Sequence, residues 1–131
     1  MTTLHYEHGN FAELIGYRLT AWSEGVAEIS FEAGDRHMNR AGRLHGGALA
    51  TVIDATCGFA GCYQPPPSQG RRAMTLSLTT QYLRPVAAGT RLTATATRSG
   101  GGRTIFFSSC EVRDAEGQLV ATGSGTFKYR S

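Results

Sequence analysis

An α+β domain with one antiparallel sheet and one covering helix is the fold class this sequence predicts. Three observations carry that expectation. A long helical apolar stripe lies between Gly46 and Tyr63, strand-like alternation fills most of the chain after it, and glycine-rich turns separate the alternating runs. At 131 residues the chain is expected to form a single domain, 1–131, large enough to need no disulfide or metal staple.

Residues 11–16 read as a short helix closed by Gly16, and residues 17–23 and 26–31 as two strands joined around Glu24-Gly25. Residues 33–42 are polar and glycine-containing, a loop. Residues 46–63 carry the helical pattern, which Pro65-Pro66-Pro67 stops. Residues 73–83 alternate and stop at Pro85. Residues 90–98 alternate almost strictly, with Leu92, Ala94 and Ala96 on one face and Thr93, Thr95 and Thr97 on the other. Gly100-Gly101-Gly102 turns the chain into 104–112, and 114–117 turns it into 119–129. These last runs are expected to form a meander of four strands.

Composition narrows the function classes. The net charge of +3 is spread thinly, with only Arg71-Arg72 adjacent. That fits an anionic small molecule better than the clustered basic stripe of a nucleic-acid reader. No apolar run is long enough to span a bilayer, and no charged-then-apolar leader opens the sequence. The expectation is a mature protein beginning near Met1 that stays in the cytoplasm. Cys57, Cys62 and Cys110 show no C-x-x-C spacing and read as reduced, small apolar residues.

The long helix carries the chemistry. Leu49, Val52, Ile53, Thr56, Phe59, Ala60 and Tyr63 form one apolar stripe. The other side is small, with Gly47, Ala50, Cys57, Gly58 and Gly61, and Asp54 stands among them. No Lys or Arg occurs from Leu44 to Gln64, so the helix is expected to be buried all round. A carboxylate there costs several kcal/mol to desolvate unless it is well hydrogen-bonded. Each neighbouring glycine weakens the helix by about 1 kcal/mol relative to alanine. Both features make room for a close approach to Asp54, by a ligand or by a packed neighbour.

Leu44-His45-Gly46-Gly47 adds unhindered backbone N–H groups at the helix N-terminus, where an oxyanion or carbonyl oxygen can be held. Gly47 and Asp54 are seven residues apart and share a helix face, but two turns span roughly 10 Å, too far to reach one reacting atom. A second subunit could supply the other half. Taken singly, His45 reads equally as a cap, Asn39 as a turn former and Thr75 as ordinary strand composition.

Together, His37-Met38-Asn39-Arg40-Ala41-Gly42-Arg43-Leu44-His45-Gly46-Gly47, with Asp54 seven residues on, resemble the hotdog-fold thioesterases of the phenylacetic-acid-degradation (PaaI) type. The resemblance continues through Met74-Thr75 to Tyr82-Leu83-Arg84-Pro85 and covers nearly the whole chain. It implies a hotdog fold, a curved antiparallel sheet wrapped around one long central helix. It also implies dimers with a continuous sheet, often paired into homotetramers, with active sites at the subunit interface. The implied activity is acyl-CoA thioester hydrolysis (EC 3.1.2.-) on aryl or medium-chain substrates, with no metal or organic cofactor. By the same resemblance Asp54 is nucleophile or general base, and the Gly46 N–H polarises the thioester carbonyl. Asn39 places the thioester or the water, His45 orients the loop, and Thr75 supports the carboxylate or the water. Gly47 and His37 are expected among the substrate contacts. Arg84, Arg98 and Arg103 are candidates for the coenzyme A phosphates by charge alone, and read equally as solvated surface.

Two other readings stand beside this one. A hotdog hydratase or dehydratase would call for a catalytic His with an acidic partner, and the helix holds no His. A non-catalytic acyl-CoA sensor would call for loss of the carboxylate or a DNA-binding extension.

Overall fold

The computed structural model describes residues 4, 6, 7 and 9–130. A short helix α1 (Asn10–Ile15) leads into a hairpin of β1 (Arg18–Ser23) and β2 (Val26–Glu32). A 3-10 turn (Asp35–His37) and a loop precede the long helix α2 (Gly46–Ala60). Four strands follow: β3 (Ala73–Tyr82), β4 (Arg91–Gly101), β5 (Ile105–Asp114) and β6 (Leu119–Tyr129). All pair antiparallel in one six-stranded sheet of order β1-β2-β4-β5-β6-β3. The long helix lies across the inner face of that sheet.

The period-two pattern decides what faces the helix. Ala27, Ile29 and Phe31 of β2, Leu92, Ala94 and Ala96 of β4, and Phe106, Cys110 and Val112 of β5 are all buried. They share one core with Leu49, Val52, Ile53, Cys57 and Ala60 of α2. Burying each large side chain among them stabilises the fold by about 1.5–3 kcal/mol. The buried Thr56 hydroxyl returns its proton to the Val52 carbonyl at 2.6 Å and so is satisfied within the helix. Gly123 of β6 is where the helix comes closest. A Cβ there would run into Ile53 Cγ2 and lie 3.1 Å from the Thr79 carbonyl. Gly123→Ala is therefore expected to lower stability by about 1–3 kcal/mol, read as a fall of several degrees in Tm with secondary structure retained. An unchanged Tm would mean that α2 does not seat on β6.

Four expectations are corrected. The last strands are not a four-strand meander: β3 pairs with β6 at the far edge, and β4 pairs with β2. The connecting residues 83–90 cross the end of the sheet instead of turning back. They are stitched on one side where Leu83 N–H donates to the Val120 carbonyl (2.9 Å), and on the other where Gly89 N–H donates to Ala33 (2.7 Å). The long helix stops at Ala60, before the prolines, because sheet side chains take its last carbonyls: Trp22 Nε1–H donates to Phe59 (2.8 Å) and Tyr129 O–H to Gly61 (2.6 Å). The Gly100-Gly101-Gly102 turn begins later than expected, since β4 runs through Gly100 and Gly101. Nor is the helix buried all round. Cys57 belongs to the core side, whereas Gly46, Ala50, Thr51, Asp54 and Gly58 are only partly covered and Gly47 is exposed.

The other uncovered surface is β3. It is an edge strand of ten residues without a charge, and Met74 (52 %), Leu76 (48 %) and Tyr82 (50 %) stand exposed along it. A long, uncharged edge of this kind is a template for pairing with another strand.

Candidate active site

The loop before α2 is shaped by Asn39. Its Oδ1 accepts from Ala41 N–H (2.9 Å) and Arg43 N–H (3.1 Å), while its own N–H donates to the Arg43 carbonyl at 2.7 Å. The side-chain oxygen is thus spent on the turn, and the exposed amide NH2 donates to no group among the described residues. Asn39 is both a turn former and the owner of a free donor.

His45 is the N-cap of α2, in extended conformation, and its Nδ1 accepts from Gly47 N–H at 2.8 Å. That bond assigns the neutral ring's proton to Nε2. The histidine therefore consumes the Gly47 amide and leaves the Gly46 amide, the first of the helix, with no acceptor one turn back. Both glycines have a local cause. A Cβ on Gly47 would press to 2.9 Å from His45 Nδ1, and one on Gly46 would sit 3.4 Å from the ring of Tyr82. Tyr82 closes the same corner by donating its hydroxyl to the Gly46 carbonyl at 2.9 Å.

Two turns along the helix, Asp54 is partly buried, and Thr75 of β3 donates its hydroxyl to Asp54 Oδ1 at 2.6 Å. One carboxylate oxygen is held, and the other accepts from no group among the described residues. Tyr17 lines the same cleft. Burial first, then the charge of Asp54, then Tyr6, push its hydroxyl pKa up, so it stays protonated beside the carboxylate.

The expected site residues do not converge within one chain. Asp54 and Thr75 open into a cleft of about 320 Å³ floored by Ala55, Gly58 and Phe127. Asn39, Gly46 and Arg84 open into a second one of about 380 Å³, walled by Leu49 and Tyr82. Arg103 lies in the β4–β5 turn and lines neither; Arg98 Nη2 donates to Gly102 in the same turn at 3.3 Å. Within one chain Arg103 is thus not brought to either of these clefts.

His37 and Gly47 have polar groups bonded within the chain. His37 is 8 % exposed, and both its ring nitrogens are used: Nδ1 accepts from Gly34 N–H (2.9 Å) and Nε2 lies 2.7 Å from the Ile15 carbonyl. It packs on Phe31, 4.7 Å between centroids, and bolts α1 to the loop. Gly47 has given its N–H to His45. Sequence reasoning also missed Tyr17, and the way Arg71, Arg72 and Arg130 meet at the Asp54 cleft. The adjacent pair Arg71-Arg72 was the one visible signal.

A helix over a wrapped antiparallel sheet, with a carboxylate two turns from a glycine N-terminus, defines a class, the hotdog-fold thioesterases. Residues 41–121 match the thioesterase superfamily, and the chain belongs to it. Within the superfamily it stands with proteins of the PaaI type. It is 29 % identical to the acyl-coenzyme A thioesterase PaaI of Escherichia coli K12, over 92 % of this chain and 82 % of that one. The solved structure of E. coli PaaI superposes with a TM-score of 0.83 at 26 % identity, covering 94 % of this chain and 86 % of the other. Protein PA5202 of Pseudomonas aeruginosa superposes at 0.82 with 34 % identity, covering 94 % and 95 %. Human acyl-coenzyme A thioesterase 13 is 28 % identical over 89 % of this chain and 83 % of its own. Among the described residues no helix is long and apolar enough to cross a membrane.

Proposed function

We propose that this protein hydrolyses aryl or medium-chain acyl-CoA thioesters at two composite sites in a homodimer. The observation that carries this reading is the direction of β3. Near its start the strand carries Thr75, bound to Asp54, and it ends at Tyr82, bound to Gly46. Two copies of an edge strand joined antiparallel about a two-fold axis set the start of one against the end of the other. The Asp54 cleft of one subunit would then face the Asn39–Gly46 cleft of its partner, and the roughly 10 Å between the two half-sites on one helix ceases to matter.

In that site the partner's Gly46 N–H, at the positive end of α2, holds the thioester oxygen as it gains charge. The Asn39 amide donates to the thioester or the water. Asp54 Oδ2, with its neighbour fixed by Thr75, acts on the carbonyl carbon, through a water it deprotonates or directly. The C–S bond breaks and the coenzyme A thiolate leaves, taking up the proton that water loses. On the direct route the acyl–Asp54 anhydride is then hydrolysed by water, so both routes give free acid, thiol and the original carboxylate. The names of the PaaI and thioesterase 13 relatives support the substrate class.

The test is release of free thiol from benzoyl-, phenylacetyl- and octanoyl-CoA by the purified chain. No release from any of them would refute the reading, and hydration of an enoyl-CoA without thiol release would move the protein to the hydratases. Thr75→Val deletes a hydrogen bond to a charged acceptor, about 1.5–3 kcal/mol, so kcat is expected to fall about tenfold or more. Thr75→Ser should recover most of it. A valine variant with wild-type kcat would reduce Thr75 to a strand residue.

A further inference from the structure

One end of the Asp54 cleft carries charge that hydrolysis does not use. Its mouth is edged by Arg71 and Arg72, from the segment between α2 and β3, and by Arg130, just past β6. Backbone bonds hold these pieces together: Arg130 N–H donates to the Arg72 carbonyl (2.8 Å) and Arg71 N–H to the Cys62 carbonyl (2.8 Å).

The side chains are available. The Arg71 guanidinium carbon lies 3.5 Å from the centroid of the Tyr129 ring, and that ring is anchored through its hydroxyl to Gly61. A guanidinium stacked in this way keeps its in-plane N–H groups free to fork onto an oxyanion. Arg72 has one acidic neighbour, Glu7, at 4.0 Å with both side chains mostly exposed, a contact worth little. Arg130 has no ion pair among the described residues, and none of the three donates a side-chain hydrogen bond there. Three cations thus share a cleft with two carboxylates, Glu7 and Asp54, and its lining also includes the apolar Ala55, Gly58 and Phe127. Arg72 precedes Thr75 by three residues, roughly 10 Å along the strand, about the span of a medium-length acyl chain.

We propose that Arg71, Arg72 and Arg130 form a subsite for an anionic group carried by the thioester substrate, either a carboxylate at the far end of the acyl chain or a phosphate of its carrier. This rests on the reading of Asp54 as the hydrolytic carboxylate. It makes the cleft selective for charge as well as for size.

The test is calorimetric binding to the Asp54→Asn chain, which does not need turnover. Four thioesters are compared: hexanoyl and adipoyl, each on coenzyme A and on uncharged N-acetylcysteamine. Adding Arg71→Met, Arg72→Met and Arg130→Met is expected to weaken binding about tenfold or more wherever the recognised anion is present. Loss confined to the adipoyl esters on both carriers assigns a carboxylate. Loss confined to the two coenzyme A esters assigns a phosphate. An equal effect on all four, no effect, or no binding of any ligand before the arginines are changed overturns the proposal. Methionine keeps an apolar stem on Tyr129, and Arg72→Met and Arg130→Met singly carry the same comparison if the triple variant melts early. Arginine-dependent binding by a wild-type chain that releases no thiol would sink the hydrolase reading alone. Thiol release with charge-blind affinity would sink the subsite alone.

Discussion

Asp54→Asn protein is expected to fold normally and to hydrolyse acyl-CoA at least 10²-fold more slowly than wild type. The asparagine carbonyl can still accept the Thr75 hydroxyl that now sits 2.6 Å from Oδ1, so the geometry of α2 against β3 should persist. What disappears is the second, charged oxygen, which alone can take a proton from water or attack carbon. Losing a positioned base or nucleophile costs about that factor or more. Replacing a partly buried charge by a neutral amide of the same shape leaves stability level or raised. Steady-state thiol release together with a melting curve decides the matter. Turnover within a few-fold of wild type removes Asp54 from the chemistry, and a large fall in Tm with activity lost makes it a structural residue instead.

Mixing two dead variants is expected to return activity. If Asp54 of one subunit works against the loop of the other, an Asp54→Asn chain still offers an intact Asn39 and Gly46, and an Asn39→Ala chain still offers an intact Asp54. Their heterodimer contains one whole site, where each parent homodimer contains none. Activity per heterodimer should rise to roughly half that of wild type, one productive site out of two. Two affinity tags and sequential purification isolate the heterodimer. Asn39→Ala must first be impaired by itself. Its Oδ1 shapes the turn through Ala41 and Arg43, so circular dichroism and a melting curve serve as controls for loop collapse. Heterodimers as inactive as their parents would put Asp54 and Asn39 in service of the same chain. An active monomer by light scattering would remove the composite site altogether.

Much of the architecture was legible in local pattern. The alternation of Leu92, Ala94 and Ala96 against Thr93, Thr95 and Thr97 set the buried and open faces of β4, because side chains alternate strictly along a strand. The apolar stripe of α2, its glycine start and its misplaced carboxylate were equally plain, because a period of 3.6 residues and a Gly-Gly pair act over a few neighbours. The family resemblance then attached roles to Asp54, Gly46, Asn39, His45 and Thr75.

Tertiary structure alone decided what depends on which distant residue arrives beside which. Local alternation does not say whether β3 turns back onto β4 or travels to β6; hydrogen bonds from residues 83–90 to Val120 and Ala33 chose the crossing, and left β3 as an edge. The end of α2 was taken by Trp22 and Tyr129, not by the prolines that local propensity singled out. Only the fold brings the Ile15 carbonyl and the Gly34 amide to the His37 ring, and the His45 ring to the Gly47 amide. Arg130 joins Arg71 and Arg72 only because β6 ends beside the start of β3, where the segment from α2 ends. Periodicity carries the face a residue points to, whereas the partner it meets there is fixed by contacts far apart in the chain, which no local pattern encodes.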